Sequence, residues 1–331
     1  MAIVRQNVMT NAAARGSYIN GVTALKNEFP TGATTIALGV PGPKQTLSTW
    51  DLFALWHGRA MSMNQNAVIH QGPVFPPWHR WMLLLLEANI ARVLQQPSFG
   101  LPYWDWGADG ARTPATQPAS PVFGATAFGG GLGIASGGAQ PALPALVPDG
   151  PFGSTSGFVV RVAASPTGIQ SVARPLRRRL GALSVLPTNA EVTAALALTP
   201  YDAPPFDGRS VTGMRNQLEG WAPNNPIPPH LHNQVHVFIG GDMETGTSPN
   251  DPLFYLNHAN IDRIWASWQQ KHSALPVTQR YPTGKQVPAG HRLTDLLYSS
   301  LTNQLPGTPL VPKVNGMISV ANLYSYDQLP N

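Results

Sequence analysis

Histidine is the residue type best suited to chemistry in this sequence, because nine imidazoles occur in a chain that has no cysteine. The absence of thiols excludes disulfides, thiolate metal sites and thiol nucleophiles. His232 and His236 are four residues apart, so on a helix they share one face and can bind one ion. His258, on a separate predicted helix, is a candidate third ligand. Three protein ligands leave a coordination position open for a small molecule, as catalytic metal sites require.

A second possible triplet lies earlier in the chain and consists of His57, His70 and His79. Neutral imidazole suits copper, zinc, iron and nickel, so the spacing indicates one metal site, permits a second and does not name the metal. His230 is two residues before His232, which is the wrong helical spacing for a shared ligand face. We expect His230 to be structural or pocket-lining, and we expect surface positions for His272 and His291.

Other catalytic patterns are absent from the sequence. No Gly-x-Ser-x-Gly motif is present, which argues against a serine hydrolase of the nucleophile-elbow type. The phosphate-binding loop Gly-x-x-x-x-Gly-Lys-Ser/Thr and the zinc-protease motif His-Glu-x-x-His are also missing. With no thiols available, a histidine-only metal site is the natural candidate for catalysis.

Four predicted helices position most of these histidines. The first, LSTWDLFALWHGRAM, opens on Ser48 as N-cap with Asp51 three residues later. The second begins at Pro76–Pro77 and is apolar nearly all round, so it should be buried. A shorter helix follows Pro228–Pro229, and the last has Asn250 as its cap. In chain order these helices carry His57, His79, His232 with His236, and His258.

Composition predicts a compact helical core wrapped in long loops. The chain has 331 residues, of which 43% are hydrophobic and only 11% charged, and it contains 32 glycines and 34 prolines. Glycine and proline at this level indicate many turns. Residues 107–157 are rich in Gly, Pro, Ala and Ser, and predict a long loop excursion that either rims the site or is plain surface. Strong helices on both sides of it indicate a single domain over 1–331.

Charge and hydropathy bound the possible partners. The net charge of +5 is mild, and the densest basic cluster, 174–179, lacks the interleaved aromatic residues of a nucleic-acid groove. We expect that cluster to be a solvated, partly helical face. No apolar run is long enough to cross a membrane. The N-terminal residues do not read as a signal peptide, so a cytoplasmic protein, or one secreted with a partner, is expected.

Several long segments resemble one known family. HQGPVFPPWHRWMLLLLEANI followed by LPYWDW is similar to the first copper site of tyrosinases and catechol oxidases. HNQVHVFIGGDM followed by NDPLFYLNHANIDRIWASW is similar to their second copper site. RNQLEGW and LYSYDQ also match, so the resemblance covers nearly the whole chain and looks closest to bacterial members. The sequence therefore resembles a type-3 copper protein.

The resemblance implies a mainly α fold in which a four-helix bundle holds a dinuclear copper site. It implies that one copper is bound by His57, His70 and His79, and that the other is bound by His232, His236 and His258. Many members have His-His where this chain has Asn257–His258, so Asn257 is expected to alter the substrate pocket. Val237 and Thr245 are expected to line that pocket. No C-terminal shielding domain is expected, and a copper-delivery or export partner protein is a possibility.

Two residues near the second site bear on the reaction. In the family, a glutamate and an asparagine have been linked to holding a water that takes up a phenol proton, and Glu219 and Asn233 match them. The alternative is structural: Glu219 caps or salt-bridges a helix, and Asn233 only bonds backbone. Asp262 lies four residues after His258, so it either orients that imidazole or pairs with an arginine. Six tryptophans are expected to pack around the bundle: Trp78, Trp81, Trp104, Trp106, Trp265 and Trp268.

The resemblance leaves three functions open. The first is a tyrosinase that uses O2 to hydroxylate monophenols and to oxidise o-diphenols to o-quinones. The second is a catechol or o-aminophenol oxidase without monophenol activity. The third, from a different class, is an oxygen carrier of the haemocyanin kind. Small phenols and O2 are the expected partners of an enzyme, whereas a carrier would bind O2 without turnover.

Overall fold

Helices dominate the computed structural model, which describes residues 3–63, 68–130, 144–221, 230–307 and 310–331. Within these ranges the α-helices are α1 (Ala12–Lys26), α2 (Thr49–Met61), α3 (Phe75–Leu94), α4 (Trp106–Asp109), α5 (Asn189–Ala197), α6 (Met214–Glu219), α7 (Leu231–Ile239), α8 (Leu253–Lys271) and α9 (Val277–Arg280). The strands are β1 (Val4–Arg5), β2 (Ala145–Leu146), β3 (Val159–Ser165), β4 (Gly168–Pro175), β5 (Arg177–Arg178) and β6 (Ser325–Tyr326). The predicted mainly helical fold is confirmed. Across the described residues, every helix is too short or too polar to span a bilayer.

Helix α2 begins as its sequence predicts, whereas the start of α8 differs from the prediction. Ser48 and Asp51 form a capping box: the Ser48 hydroxyl accepts from the Asp51 amide, and the Asp51 carboxylate accepts from the Ser48 amide. At α8, Asp251 accepts from the amide of Leu253 at 2.9 Å. The predicted cap, Asn250, instead donates to the carbonyl of Val162 at 2.8 Å. The prediction failed because a distant carbonyl competes for that side chain.

The bundle is built on α3 and α8, which pack against each other, with α7 against α8 and α1 across α2 and α3. Helix α2 contacts the 3₁₀ turn Ser248–Asn250 that leads into α8. Gly21 lets α1 approach α3 closely, since a Cβ at this position would overlap Ile90. The predicted tryptophan packing is confirmed, because all six are buried: Trp78, Trp81, Trp104, Trp106, Trp265 and Trp268.

Besides the helices, the described residues form three two-stranded sheets. Strands β1 and β6 pair in parallel, and β2 pairs antiparallel with β5. Strands β3 and β4 form a hairpin that packs on α2. The prediction of a solvated, partly helical face at 174–179 is wrong in part: these residues lie in and around β4 and β5 rather than in a helix, although Arg177 is exposed. Arg178 is buried and pairs with Asp251, and Arg174 pairs with Asp242, so remote carboxylates draw them inward.

The excursion at 107–157 is partly described. It holds part of α4 and the 3₁₀ turns Pro114–Ala119 and Pro121–Phe123. Apolar side chains anchor its described parts in the core, among them Val122, Phe128 and Phe152. The glycine-rich segment 131–143 lies outside the described residues. The described parts are therefore more firmly packed than their composition indicates.

Candidate metal centre

The first histidine triplet is assembled from two helices and the segment between them. His57 projects from α2, His79 from the first turns of α3, and His70 from the intervening segment. One ring nitrogen from each lies within 4.8 Å of the others, which is close enough to share one ion. Gly58 follows His57 where a Cβ would come within 3 Å of Ile169 and Thr247, so α2 sits tightly against its neighbours here.

The second triplet joins α7 to α8. His232 and His236 lie one turn apart on α7, and His258 reaches them from α8. Their candidate ligand atoms also lie within 4.8 Å of one another. The sequence predicted this grouping: helical spacing paired His232 with His236, and His258, 22 residues further along the chain, was the candidate third ligand.

The two triplets adjoin and form one centre. The rings of His79 and His258, one from each triplet, stack with centroids 4.2 Å apart. His70 and His232 face each other with centroids at 5.9 Å. Phe75 and Phe254 pack against the imidazoles and close the centre with apolar surface. Six imidazoles from four helices and one intervening segment therefore converge on a single buried volume.

Backbone carbonyls orient several of the rings. Nδ1 of His57 lies 2.7 Å from the Gly246 carbonyl oxygen, and Nδ1 of His79 lies 2.8 Å from that of Phe75. Nδ1 of His236 lies 2.6 Å from the Met243 carbonyl oxygen. A carbonyl only accepts, so Nδ1 carries the proton and Nε2 presents a lone pair. This tautomer leaves Nε2 free to bind a metal ion.

This arrangement fits a cation better than a hydrogen-bond network. Nε2 of His57 and Nε2 of His79 lie 3.4 Å apart, and both present lone pairs because both Nδ1 atoms donate. Within the part of the chain that the structure describes, Nε2 of His236 and Nδ1 of His70 and His258 are buried without a hydrogen-bond partner. Unpartnered buried polar atoms are costly, so converging lone pairs indicate a ligand that accepts electron density.

Burial keeps the ligands in the neutral form that metals require. It lowers the pKa of His57 to about 3 and that of His236 to about 4, mainly by desolvation of the charged ring. Burial also lowers the pKa of each of the other four histidines well below the usual value for histidine. Repulsion from neighbouring imidazoles adds to the effect. At neutral pH all six rings are therefore uncharged donors, as copper binding needs.

Asp262 pairs with arginines and tyrosines rather than with His258, the partner that its spacing in the sequence suggested. Its carboxylate accepts from Arg80 at 2.6 Å and from Arg5 at 3.2 Å, and Tyr324 and Tyr326 donate to it at 2.5 and 2.6 Å. The alternative of a distant arginine is confirmed. With Glu87, which pairs with Arg5 at 2.9 Å, these residues form what we call the ion-pair cluster. It ties the β1 and β6 ends of the chain to α3 and α8.

Glu219 and Asn233 both meet His232. The Asn233 side-chain oxygen lies 2.9 Å from His232 Nδ1, and the Glu219 carbonyl oxygen lies 3.3 Å from it. The Glu219 carboxylate is buried, accepting from the Gln71 amide at 2.6 Å and from Arg215 at 3.1 Å. Burial raises the pKa of Glu219 to about 7, although Arg215 opposes the shift. The helix salt bridge predicted as the structural alternative is therefore present.

A cavity of about 390 Å³ opens above the histidines. Its floor includes rings from both triplets, and its walls are lined by Asn233, Val237, Thr245, Met61, Met243 and Trp221. Val237 and Thr245 thus occupy the lining that the sequence assigned to them. Among the described residues of the 107–157 excursion, none lines this cavity.

Asn257 does not belong to that lining, which corrects the expectation of a pocket position. It is buried on α8, and its amide oxygen accepts from the Trp106 indole at 3.0 Å. One residue along a helix turns a side chain by about 100°, so Asn257 points away from the direction of His258. Many family members have a histidine where this chain has Asn257. This difference therefore alters the packing behind the centre rather than the cavity wall.

The remaining histidines differ from one another. His230 is buried at the N-terminus of α7, and both its ring nitrogens lack a hydrogen-bond partner among the described residues. His272 is half-buried and lies 2.9 Å from the Leu196 carbonyl. The prediction of a surface position for His291 is wrong: it is buried beside Gly72, where a Cβ would strike its ring. Helical periodicity in the sequence did not indicate that His291 is buried, because the residues around it come from a remote segment.

Six cavity residues were not identified from sequence, namely Met61, Trp221, Met243, Glu244, Gly246 and Ser248. Trp221 closes RNQLEGW, so the motif itself was the available signal. Met243 ends HNQVHVFIGGDM in the same way. Glu244 follows that motif directly, and only the turn Gly241–Glu244 brings it to the cavity.

Comparison with known proteins assigns the family. The profile of the common central domain of tyrosinase matches residues 47–271, more than half of the chain, so the chain belongs to the tyrosinase family. A tyrosinase from Streptomyces antibioticus is 43% identical over 209 residues, which cover 62% of this chain and 66% of that protein. Grixazone synthase from Streptomyces griseus is 36% identical over 225 residues, covering 62% and 68%. The matched region thus spans slightly under two thirds of the first relative.

The fold has solved counterparts. A polyphenol oxidase variant from Thermothelomyces thermophila superposes with a TM-score of 0.71 over 99% of this chain and 89% of that one, at 21% identity. The tyrosinase family holds a dinuclear copper site, and the two histidine triads supply one three-imidazole set for each ion. The geometry and the family therefore agree on two copper ions.

Proposed function

We propose that this protein is a copper-dependent oxidase that uses O2 to hydroxylate monophenols and to oxidise o-diphenols to o-quinones. The observation that carries the proposal is the open cavity whose floor is made of uncharged imidazoles from both triads. The 43% identical relative bears the name tyrosinase, which supports the same activity. A pair of copper ions would supply the redox chemistry with O2 when bound.

The chain's own contribution is to hold the ligands and admit a flat ring. Carbonyls of Gly246, Phe75 and Met243 fix three imidazoles before any ion arrives. A cavity of about 390 Å³ suits a small aromatic molecule, since ligand pockets begin at about 300 Å³. Trp221 and Val237 offer apolar walls for the ring, and Thr245 is small enough to leave the way to the floor open.

Monophenol hydroxylation also needs a proton acceptor, because a phenol has a pKa of about 10. We propose that Asn233, at the cavity wall, and Glu219, behind it, hold a water that takes this proton. The Asn233 side-chain oxygen and the Glu219 backbone carbonyl both lie beside His232 Nδ1, which supports the assignment. The competing explanation is that Glu219 serves only its ion pair with Arg215 and its bond to Gln71.

The test is the ratio of monophenol hydroxylation to catechol oxidation at matched copper content. Glu219→Gln and Asn233→Leu should lower hydroxylation about a hundred-fold, the usual contribution of a positioned base, and lower catechol oxidation much less. Catechol oxidation is the internal control for folding and copper loading. An unchanged ratio in both variants would mean that the two residues are structural.

A catechol or o-aminophenol oxidase is the second candidate. It is favoured by the 36% identical relative, which carries a different name, grixazone synthase. Rates on a monophenol, a catechol and an o-aminophenol measured side by side separate the two enzymes. Oxidation of the last two without any hydroxylation would replace the first proposal. Reversible O2 binding without turnover would instead identify an oxygen carrier.

We further propose that a partner protein delivers copper to the chain, inside the cell or during export. The support is burial: His57, His70, His79, His232 and His258 each expose 5% or less of their surface. Copper ions must therefore enter through the cavity or during folding. Rapid, complete loading of the folded, metal-free protein by free copper would remove the need for a partner.

A further inference from the structure

The mouth of the cavity is marked by the two lining residues that are most exposed, Trp221 and Glu244. Glu244 ends the 3₁₀ turn Gly241–Glu244, which links α7 to the segment before α8. Thr245 and Gly246, which follow it, also line the cavity. The carboxylate therefore stands where a substrate would enter, above the histidine floor.

Glu244 is the only formally charged side chain among the described lining residues, because the histidines there are neutral. The three longest segments outside the described residues cannot change this balance. Residues 64–67, 131–143 and 222–229 contain no Lys, Arg, Asp or Glu. Whatever their positions, these three segments bring no countercharge to the mouth.

The local contacts of Glu244 leave its charge able to act on a substrate. One carboxylate oxygen accepts from the Gly241 amide at 2.8 Å, which fixes its orientation. The other lies 3.8 Å from the Arg179 guanidinium, longer than a hydrogen bond, and both side chains are partly exposed. Solvent screens a partly exposed ion pair of this length, so the attraction between Glu244 and Arg179 is weak. Arg179 itself is not part of the cavity lining.

We infer that Glu244 selects phenols and catechols that carry an alkylammonium group over those that carry a carboxylate. The inference rests on the proposed function, which places the phenolic oxygen at the histidine floor. The substituent opposite that oxygen then points to the mouth, towards Glu244. There an ammonium gains a charge-assisted hydrogen bond, whereas a carboxylate meets a like charge.

The test compares catechols of matched size on the copper-loaded enzyme: 4-(2-aminoethyl)catechol, 4-ethylcatechol and 3,4-dihydroxyphenylacetate. We expect kcat/KM to fall in that order, mainly through KM. Glu244→Gln should reduce the preference for the ammonium over the neutral substrate about five-fold, the value for unit charges about 4 Å apart in water. Glu244→Lys should reverse the order. High salt should shrink the wild-type preference, because the mouth is exposed.

The matched control is Glu28→Gln, which makes the same change in net charge at a carboxylate that pairs with Arg92 and lies outside the cavity lining. It should leave all three rates unchanged. Equal substrate ratios in the wild type and in Glu244→Gln would overturn the inference. Equilibrium binding of the same three catechols to the metal-free protein distinguishes a failure of the proposed oxidase function from a failure of the role inferred for Glu244. Retained ammonium preference without turnover would refute only the proposed oxidase function, whereas turnover without preference would refute only the role of Glu244.

Discussion

The metal centre and the ion-pair cluster share two helices, α3 and α8. His79 precedes Arg80 on α3, and Asp262 follows His258 by about one turn on α8. Both groups are buried and polar, yet their electrostatics differ. In the ion-pair cluster one carboxylate accepts from four partners. In the metal centre, three ring nitrogens have no hydrogen-bond partner among the described residues, and no described carboxylate forms an ion pair with the rings.

That difference separates a structural cluster from a binding site. Opposite charges and hydrogen bonds compensate the burial of Asp262. Among the described residues, Nη2 of Arg5 and Nη2 of Arg80 lack a hydrogen-bond partner, but these atoms are donors and offer no lone pair to a metal ion. The imidazoles are compensated only when a cation is bound, because their lone pairs converge on one another. Loss of a residue should therefore weaken metal binding in the metal centre, whereas in the ion-pair cluster it should lower the unfolding free energy.

The largest expected effect is on copper binding. His236→Ala should leave one copper per chain and lower phenol oxidation by more than about a hundred-fold, since loss of a ligand's supporting partner alone costs 10- to 100-fold. Copper is measured by elemental analysis and activity by catechol turnover. The stability of the metal-free protein should change little. His272→Ala, at a half-buried ring outside the centre, is the control and should keep both ions. Two copper ions in His236→Ala would refute the ligand assignment.

The ion-pair cluster should respond in the opposite way. Asp262→Asn leaves Arg80 and Arg5 buried without their shared countercharge, so we expect a loss of about 3–5 kcal/mol in unfolding free energy. Urea denaturation measures it. Tyr326→Phe, which removes one hydroxyl that donates to Asp262, should cost only about 1 kcal/mol. The folded fraction of Asp262→Asn should still bind two copper ions. Loss of copper at full stability would mean that Asp262 belongs to the metal centre.

Acid should weaken the same cluster in a defined range. Burial disfavours the charged form of Asp262, but Arg80, Arg5 and the two tyrosines outweigh it and hold its pKa below the usual value. The stability from this ionised carboxylate is complete above its unfolded pKa of about 3.9 and is lost as pH falls through the folded pKa. Below pH ~4, the wild type should therefore lose up to about 1.4 kcal/mol per pH unit more than Asp262→Asn. Urea midpoints at several acidic pH values test this, and parallel curves would contradict it.

The smallest effect should come from an ion pair outside both clusters. Arg92 and Glu28 form a two-bond pair at 2.7 Å, but both side chains are well exposed. Solvent screens such pairs, so Arg92→Gln should change the unfolding free energy by only about 0–1 kcal/mol. The same urea assay supplies the value. A loss comparable to that of Asp262→Asn would show that burial does not explain the difference between the clusters.

Local sequence patterns determined the helices and the candidate ligands. Ser48 and Asp51 set the start of α2, and α3 begins within one residue of the predicted Pro76–Pro77. The i, i+4 spacing placed His232 and His236 on one face of α7. These features depend on residues three or four apart, whose geometry a helix fixes by itself. The long motifs then indicated which third histidine completes each set.

Only the tertiary structure decided the partners that lie far apart in the chain. The sequence left Asp262 open between His258 and an arginine, and the fold supplied Arg5 from 257 residues away. It also buried Arg178 against Asp251, withdrew Asn257 from the cavity and brought Glu244 to its mouth. Helical periodicity states which face a residue occupies but not which remote side chain meets that face. That choice depends on how α3, α7 and α8 pack, and packing depends on the whole chain.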